Sequence, residues 1–100
     1  MEIGDFSFHD ATILEVREYP EHQRLEIFVN FPVDWYNNKY EFRKMVFTDV
    51  SYYQVSGFPF AGKPAILEIH ELNDSNGKKI EVATNAGKRV IGYGNFELTT

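Results

Sequence analysis

The segment Phe6-Ser7-Phe8-His9-Asp10-Ala11 places a hydroxyl, an imidazole and a carboxylate within four residues. Nucleophilic catalysis uses these three groups as nucleophile, base and orienting acid. They must be aligned in space, whereas neighbouring side chains on an extended chain diverge. A structural role accounts for them more simply. Ser7 and Asp10 can accept bonds from nearby backbone N–H groups, and His9 can bond across to another strand. No catalytic residue is assigned.

The other polar constellations reduce in the same way. His9, His22 and His70 show neither the HxH nor the HxxxH spacing of a metal site. An enzyme built on His9 or His70 would need both histidines and an acid in one pocket. The run Asp74-Ser75-Asn76-Gly77 resembles part of a calcium loop. Its glycine arrives too early, and the position eleven after Asp74 is Asn85, where the loop needs glutamate. Glu15 and Glu26 can face each other on the outside of a first hairpin, and Glu68 and Glu71 fall on opposite faces of a regular strand. Glycosidase chemistry needs two carboxyls across a cleft, one of them shielded, and a solvated face is the simpler reading. The run Gly92-Tyr93-Gly94-Asn95 lacks the third glycine and the following helix of a phosphate loop. No metal and no cofactor is expected.

The aromatic residues are the remaining candidates. The chain has nine Phe, six Tyr and one Trp, 16% of its residues. Aromatics favour strands, so most belong in a β-rich core. Trp35, Tyr36 and Tyr40 stand apart, because the first two fall in a loop beside Asn37 and Asn38. The pairs Tyr52-Tyr53 and Phe58-Pro59-Phe60 form lesser clusters. Loop aromatics beside amides can stack on a sugar or anchor a protein partner. The competing expectation is that Trp35 folds back and plugs one end of the fold.

The elements that must position these residues read as strands. In residues 24–31, Leu25, Ile27, Val29 and Phe31 alternate with Glu26, Phe28 and Asn30. That period of two describes a half-buried strand. A first strand, Thr12–Tyr19, carries Leu14 and Val16 on its expected core face. Pro20 breaks it, and residues 24–31 return as its hairpin partner. Residues 31–39 read as a loop. A strand over 40–47 sets Tyr40, Phe42 and Val46 against Glu41, Arg43, Met45 and Phe47, with apolar side chains on both faces. Asp49 allows a bend into an edge-like strand over 50–55, and 56–64 is irregular. Residues 65–72 form a strand with Leu67 and Ile69 against Glu68 and His70. Asn76 and Gly77 mark a turn. Residues 79–84 and 88–98 form a second hairpin, where Gly92 and Gly94 imply a bulge, sharp curvature or close packing. The best helical window, 33–44 with Asp34 as a cap, is no more than one short turn. About seven antiparallel strands in a sandwich or partly open barrel is the expected fold, all-β or mainly β.

One domain spanning 1–100 fits the length. The absence of cysteine removes thiol catalysis and disulfides. No signal-like run opens the chain, and no apolar stretch approaches the ~20 residues of a membrane helix, so a cytoplasmic protein without membrane contact is expected. The net charge of −5, with no basic cluster beyond Lys78-Lys79 and Lys88-Arg89, disfavours nucleic acid and fits a basic protein partner or simple solubility.

The run Phe8-His9-Asp10-Ala11-Thr12-Ile13-Leu14-Glu15-Val16 resembles the opening of small bacterial β-rich domains that begin with an aromatic or Leu, then His-Asp, then a first strand. The later segment Val46-Phe47-Thr48-Asp49-Val50 matches their "apolar–Phe–x–x–Val" form. Some of these domains are similar to immunity proteins of polymorphic toxin systems, which bind and neutralise a toxin. The resemblance singles out His9 and Asp10 and implies no catalytic role. The expectation is a non-enzymatic, acidic, protein-binding domain anchored by Trp35 and Tyr36. The alternative is a small-ligand or carbohydrate-binding module in which Trp35, Tyr36 and Tyr40 line one concave surface. Self-association through the edge strand at 50–55 is a further possibility.

Overall fold

The computed structural model describes residues 2–57, 62–75 and 77–100. Phe58, Pro59 and Phe60, and Asn76 of the expected turn, lie outside the described residues. Among these residues the chain forms β1 (Thr12–Tyr19), β2 (Arg24–Asp34), β3 (Lys39–Thr48), β4 (Tyr52–Ser56), β5 (Ile66–Glu71), β6 (Lys78–Thr84), β7 (Gly87–Tyr93) and β8 (Asn95–Thr99). They make two four-stranded antiparallel sheets, ordered β1-β2-β3-β8 and β4-β7-β6-β5. The helical pieces are two 3₁₀ turns, Ile3–Asp5 and Pro20–His22. Among the described residues no helix is long and apolar enough to cross a membrane.

One core lies between the sheets. Ile13, Leu25, Ile27, Val29, Met45, Phe47 and Phe96 come from the first sheet, and Ile66, Ile80, Val82, Ile91 and Tyr93 from the second. The alternation read in residues 24–31 holds: Leu25, Ile27 and Val29 are buried and Phe31 packs against the cluster. Two other assignments of face do not hold. Leu14 and Leu67 are exposed, while Ile13 and Ile66 take the core positions. Each strand carries a register shift, between Ile13 and Glu15 in β1 and between Ile66 and Glu68 in β5. An extra residue in one strand re-aims the side chains next to it. Both bulges sit where the strands meet, at the Thr12–Ala65 bridge.

The expected single strand over 88–98 is two strands, because it changes sheet at Gly94. The β3–β4 and β7–β8 segments pair along their length and bend together. Thr48 pairs with Asn95, the Gly94 N–H donates to Thr48 O at 2.9 Å, and Tyr52 pairs with Gly92 beyond the bend. Asp49 takes φ +53° there, and a Cβ on Gly94 would lie 2.8 Å from the Asp49 Cβ. The glycine therefore makes the corner. The N-terminal segment closes the fold at another side. Ile3, Phe8 and Ala11 are buried in the core, and Phe6 and Phe8 pack edge-on against Phe96 at 6.3 and 6.4 Å.

Candidate functional site

The window 33–44 forms no helix. Instead β2 and β3 extend as a hairpin, with Phe31 opposite Glu41, Pro32 opposite Tyr40 and Asp34 opposite Lys39. The last β1 pair is at Asn30, so Pro32 sits where β2 has an open side and its missing N–H is tolerated. The loop expected over 31–39 shrinks to a turn over 35–38. Asn38 takes φ +55°, and its N–H donates to Trp35 O at 3.2 Å. The Asp34 carboxylate accepts the Asn37 N–H at 3.2 Å and the Asn37 side-chain amide at 2.7 Å. These donors, the side-chain amide foremost, hold the Asp34 carboxyl below its ordinary 3.8. Asx bonding of this kind fixes the turn locally.

The tip presents its aromatics to water. Tyr36 is 96% exposed and Trp35 53%, so Trp35 does not plug the end of the fold. One face of Trp35 stacks on His9, with ring centroids 5.6 Å apart and planes 30° apart. His9 is itself held: its Nδ1–H donates to Leu67 O at 2.8 Å, and its Nε2 lies 3.6 Å from Asp10. Asp10, at φ +70°, donates its own N–H to Ile66 O at 2.8 Å. Thus His9 and Asp10 clamp the N-terminal segment to β5, and the imidazole supports the tryptophan from below.

The outward face of the hairpin continues the aromatic surface. Tyr40 is 38% and Phe42 52% exposed. Phe42 leans on Phe28 at 5.7 Å, and the Arg17 guanidinium lies 4.9 Å over the Phe28 ring. Sequence reasoning named Tyr40 but passed over Phe28 and Phe42. The signal was present for Phe28, an aromatic on the face opposite Leu25, Ile27 and Val29, whereas Phe42 lies in a strand with apolar side chains on both faces. It also paired Glu15 with Glu26 across the first hairpin. The register set at the hairpin turn, unbroken from Tyr19–Arg24 to Glu15–Phe28, places Arg17 opposite Glu26 and Phe28 opposite Glu15. Glu26 is buried under the Arg24 Nε at 2.7 Å and the Lys44 Nζ at 3.8 Å.

His9 and His70 do share a groove. It measures about 550 Å³ between the N-terminal segment and the edge of β5, and Ser7, Glu68 and Glu71 also line it. His70 Nδ1 lies 3.5 Å from Glu68, and half of each side chain is in water. Acid–base work at neutral pH relies on shielding or charged neighbours to tune such groups, and these open side chains lack the shielding. Among the described residues no three His, Asp or Glu gather as a metal site.

Trp35, Tyr36 and Tyr40 thus gather on one hairpin, with His9 stacked on Trp35 at its tip and Asp10 anchoring the segment that carries His9. Comparison of the chain with protein families, with curated proteins and with solved structures finds no match.

Proposed function

We propose that this chain is an acidic protein-binding domain whose anchor is the β2–β3 hairpin, and that it acts as an immunity-like blocker of a basic partner. One observation carries the reading. Folding leaves Tyr36 almost wholly and Trp35 half in water on a turn that Asp34, Asn37 and Asn38 hold in place, with Phe42 half exposed on the β3 strand that follows. Exposed aromatics on a preorganised turn lose little entropy when a partner covers them, and such residues are the usual hot spots of interfaces. The net charge of −5 would draw a basic partner toward the molecule. The carbohydrate reading has less support. A sugar site needs walls around its stacking rings, and Tyr36 at 96% exposure has none.

The test is capture from the native host with the wild type and a Trp35→Ala/Tyr36→Ala variant, followed by association kinetics on what is recovered. The expected result is a basic protein held by the wild type and lost by the variant. Truncation of the two rings should weaken binding by ~100-fold or more. Association should slow as salt rises from about 50 to about 500 mM. Equal capture by the variant would remove the hairpin from the interface. Rates indifferent to salt would remove the steering.

A further inference from the structure

The four sheet edges differ in how they are guarded against pairing with another chain. Proteins blunt such edges with charges, bulges or cover. β1 has its bulge at Leu14, three charged residues and the bridge to β5. β5 has its bulge at Leu67, Glu68 and Glu71, and His9 bonded to the Leu67 carbonyl. β8 carries Glu97 and has Phe6 packed on its Phe96. β4, reading Tyr52-Tyr53-Gln54-Val55-Ser56, has no charge, no proline and no glycine, and its register with β7 is unbroken.

The backbone polarity of this edge follows from the ladders. The Leu72 N–H donates to Lys79 O at 2.7 Å, so Lys79, Glu81 and Ala83 bond toward β5 while Ile80, Val82 and Thr84 bond toward β7. Passed through the pairs Ile80–Ile91 and Tyr52–Gly92, the alternation turns Lys88, Val90 and Gly92 toward β4. The Ser51 N–H donating to Gly92 O at 2.9 Å agrees with this. β7 therefore satisfies Tyr52, Gln54 and Ser56. The N–H and C=O groups of Tyr53 and Val55 point to the open edge, where no described backbone group bonds them. The edge ends at Val50, whose N–H donates to Gln23 O at 2.8 Å. A groove of about 250 Å³ lies between this turn and Tyr52.

We infer that β4 is the homodimerisation edge of this protein, pairing antiparallel with β4 of a second copy about a two-fold axis at Gln54. The occupant follows from symmetry and charge. A two-fold pairing lays the strand on its own image, which on a chain of net charge −5 requires a strand without charge, and β4 is such a strand. Tyr53 of each copy exchanges both backbone bonds with Val55 of the other. Gln54 meets Gln54 in the closer, non-bonded kind of pair, with Cα atoms ~4.5 Å apart. The sheet β4-β7-β6-β5 becomes continuous across the axis. The aromatic hairpin lies in the other sheet, so this dimer does not depend on the function proposed above.

Sedimentation equilibrium of the whole chain between about 1 µM and about 1 mM tests this, a range suited to a small interface. The wild type should pass from monomer to dimer. Val55→Pro removes an outward N–H and leaves the β7 ladder intact, so it should weaken the dimer at least tenfold. Gln54→Lys and Gln54→Glu each set like charges opposite one another, and should be monomeric alone and dimeric when mixed. This pair of variants carries the test should the proline variant fail to fold. A wild type that stays monomeric at ~1 mM overturns the inference. So do open-ended growth, single-charge variants that dimerise as the wild type does, and loss of the dimer in Trp35→Ala.

Discussion

Asp34 shows how a single exposed carboxylate can set the geometry of a binding surface. Its lowered pKa comes first from the Asn37 side-chain amide, then from the Asn37 N–H, with desolvation opposing and the Tyr36 N–H adding least. A carboxyl held low in the fold favours folding above its unfolded value of 3.8, and that contribution is lost as pH falls through the lower folded value. The hairpin tip should therefore loosen below pH 3.8, not near neutrality. The single tryptophan reports it, because Trp35 sits in the same turn. Its emission should shift as pH falls below 3.8 in the wild type, and Asp34→Asn should abolish the pH-dependent step. A flat wild-type profile would show that the Asp34 bonds do not hold the tip. At this scale the sequence was legible where chemistry is local: Asp34, Asn37 and Asn38 are turn formers, and they make a turn. It was silent on the His9–Trp35 stack. Those residues lie in segments that no periodicity relates, and only the path of the N-terminal segment brings them together.

The elements were legible wherever a strand is regular. β2 shows its buried face in plain alternation, and β1 has the bounds its spacing gives. What could not be read were the irregularities, since a bulge changes which side chains face inward without changing composition. Leu14 and Leu67 are as apolar as Ile13 and Ile66, and only the bridge between the two edges selects which pair is buried. Gly94 was legible as a place of curvature or close packing but not as a change of sheet. Its role can be tested by compensation. A methyl at Gly94 would collide with the Asp49 Cβ at 2.8 Å, so Gly94→Ala should cost about 1–3 kcal/mol. Asp49→Gly removes that Cβ and relieves φ +53°, at the loss of a 3.3 Å bond from the Asn95 amide. The Asp49→Gly/Gly94→Ala double variant should be more stable than Gly94→Ala alone. The interaction energy in chemical denaturation should exceed about 0.5 kcal/mol. Strict additivity would mean that the corner is not set by this contact.

Across the whole molecule, the order of assembly follows from which contacts span the chain. The β2–β3 hairpin closes a turn of a few residues, whereas the N-terminal segment reaches the last strand, Phe6 and Phe8 packing on Phe96. Loop closure of that length is unfavourable before the rest of the core exists to reward it. The hairpin and its neighbours should form in the transition state, and the N-terminal segment should dock afterwards. Phe8 is buried against Phe31 and Phe96, so Phe8→Ala should destabilise by about 3–5 kcal/mol. If docking is late, nearly all of that loss falls on the unfolding limb. Unfolding should accelerate roughly 100-fold or more, with refolding close to the wild-type rate. Met45→Ala, in β3 of the hairpin and fully buried, should instead slow refolding. Stopped-flow chevrons followed by Trp35 emission read both, on the ms-to-s timescale of a fold dominated by non-local pairing. The His9 stack gives the same probe a view of docking, since Trp35 lacks its supporting ring until the N-terminal segment is in place. A Phe8→Ala variant that refolds as slowly as Met45→Ala would place the first ten residues in the folding nucleus. The segment bracing the binding hairpin would then be part of what builds it.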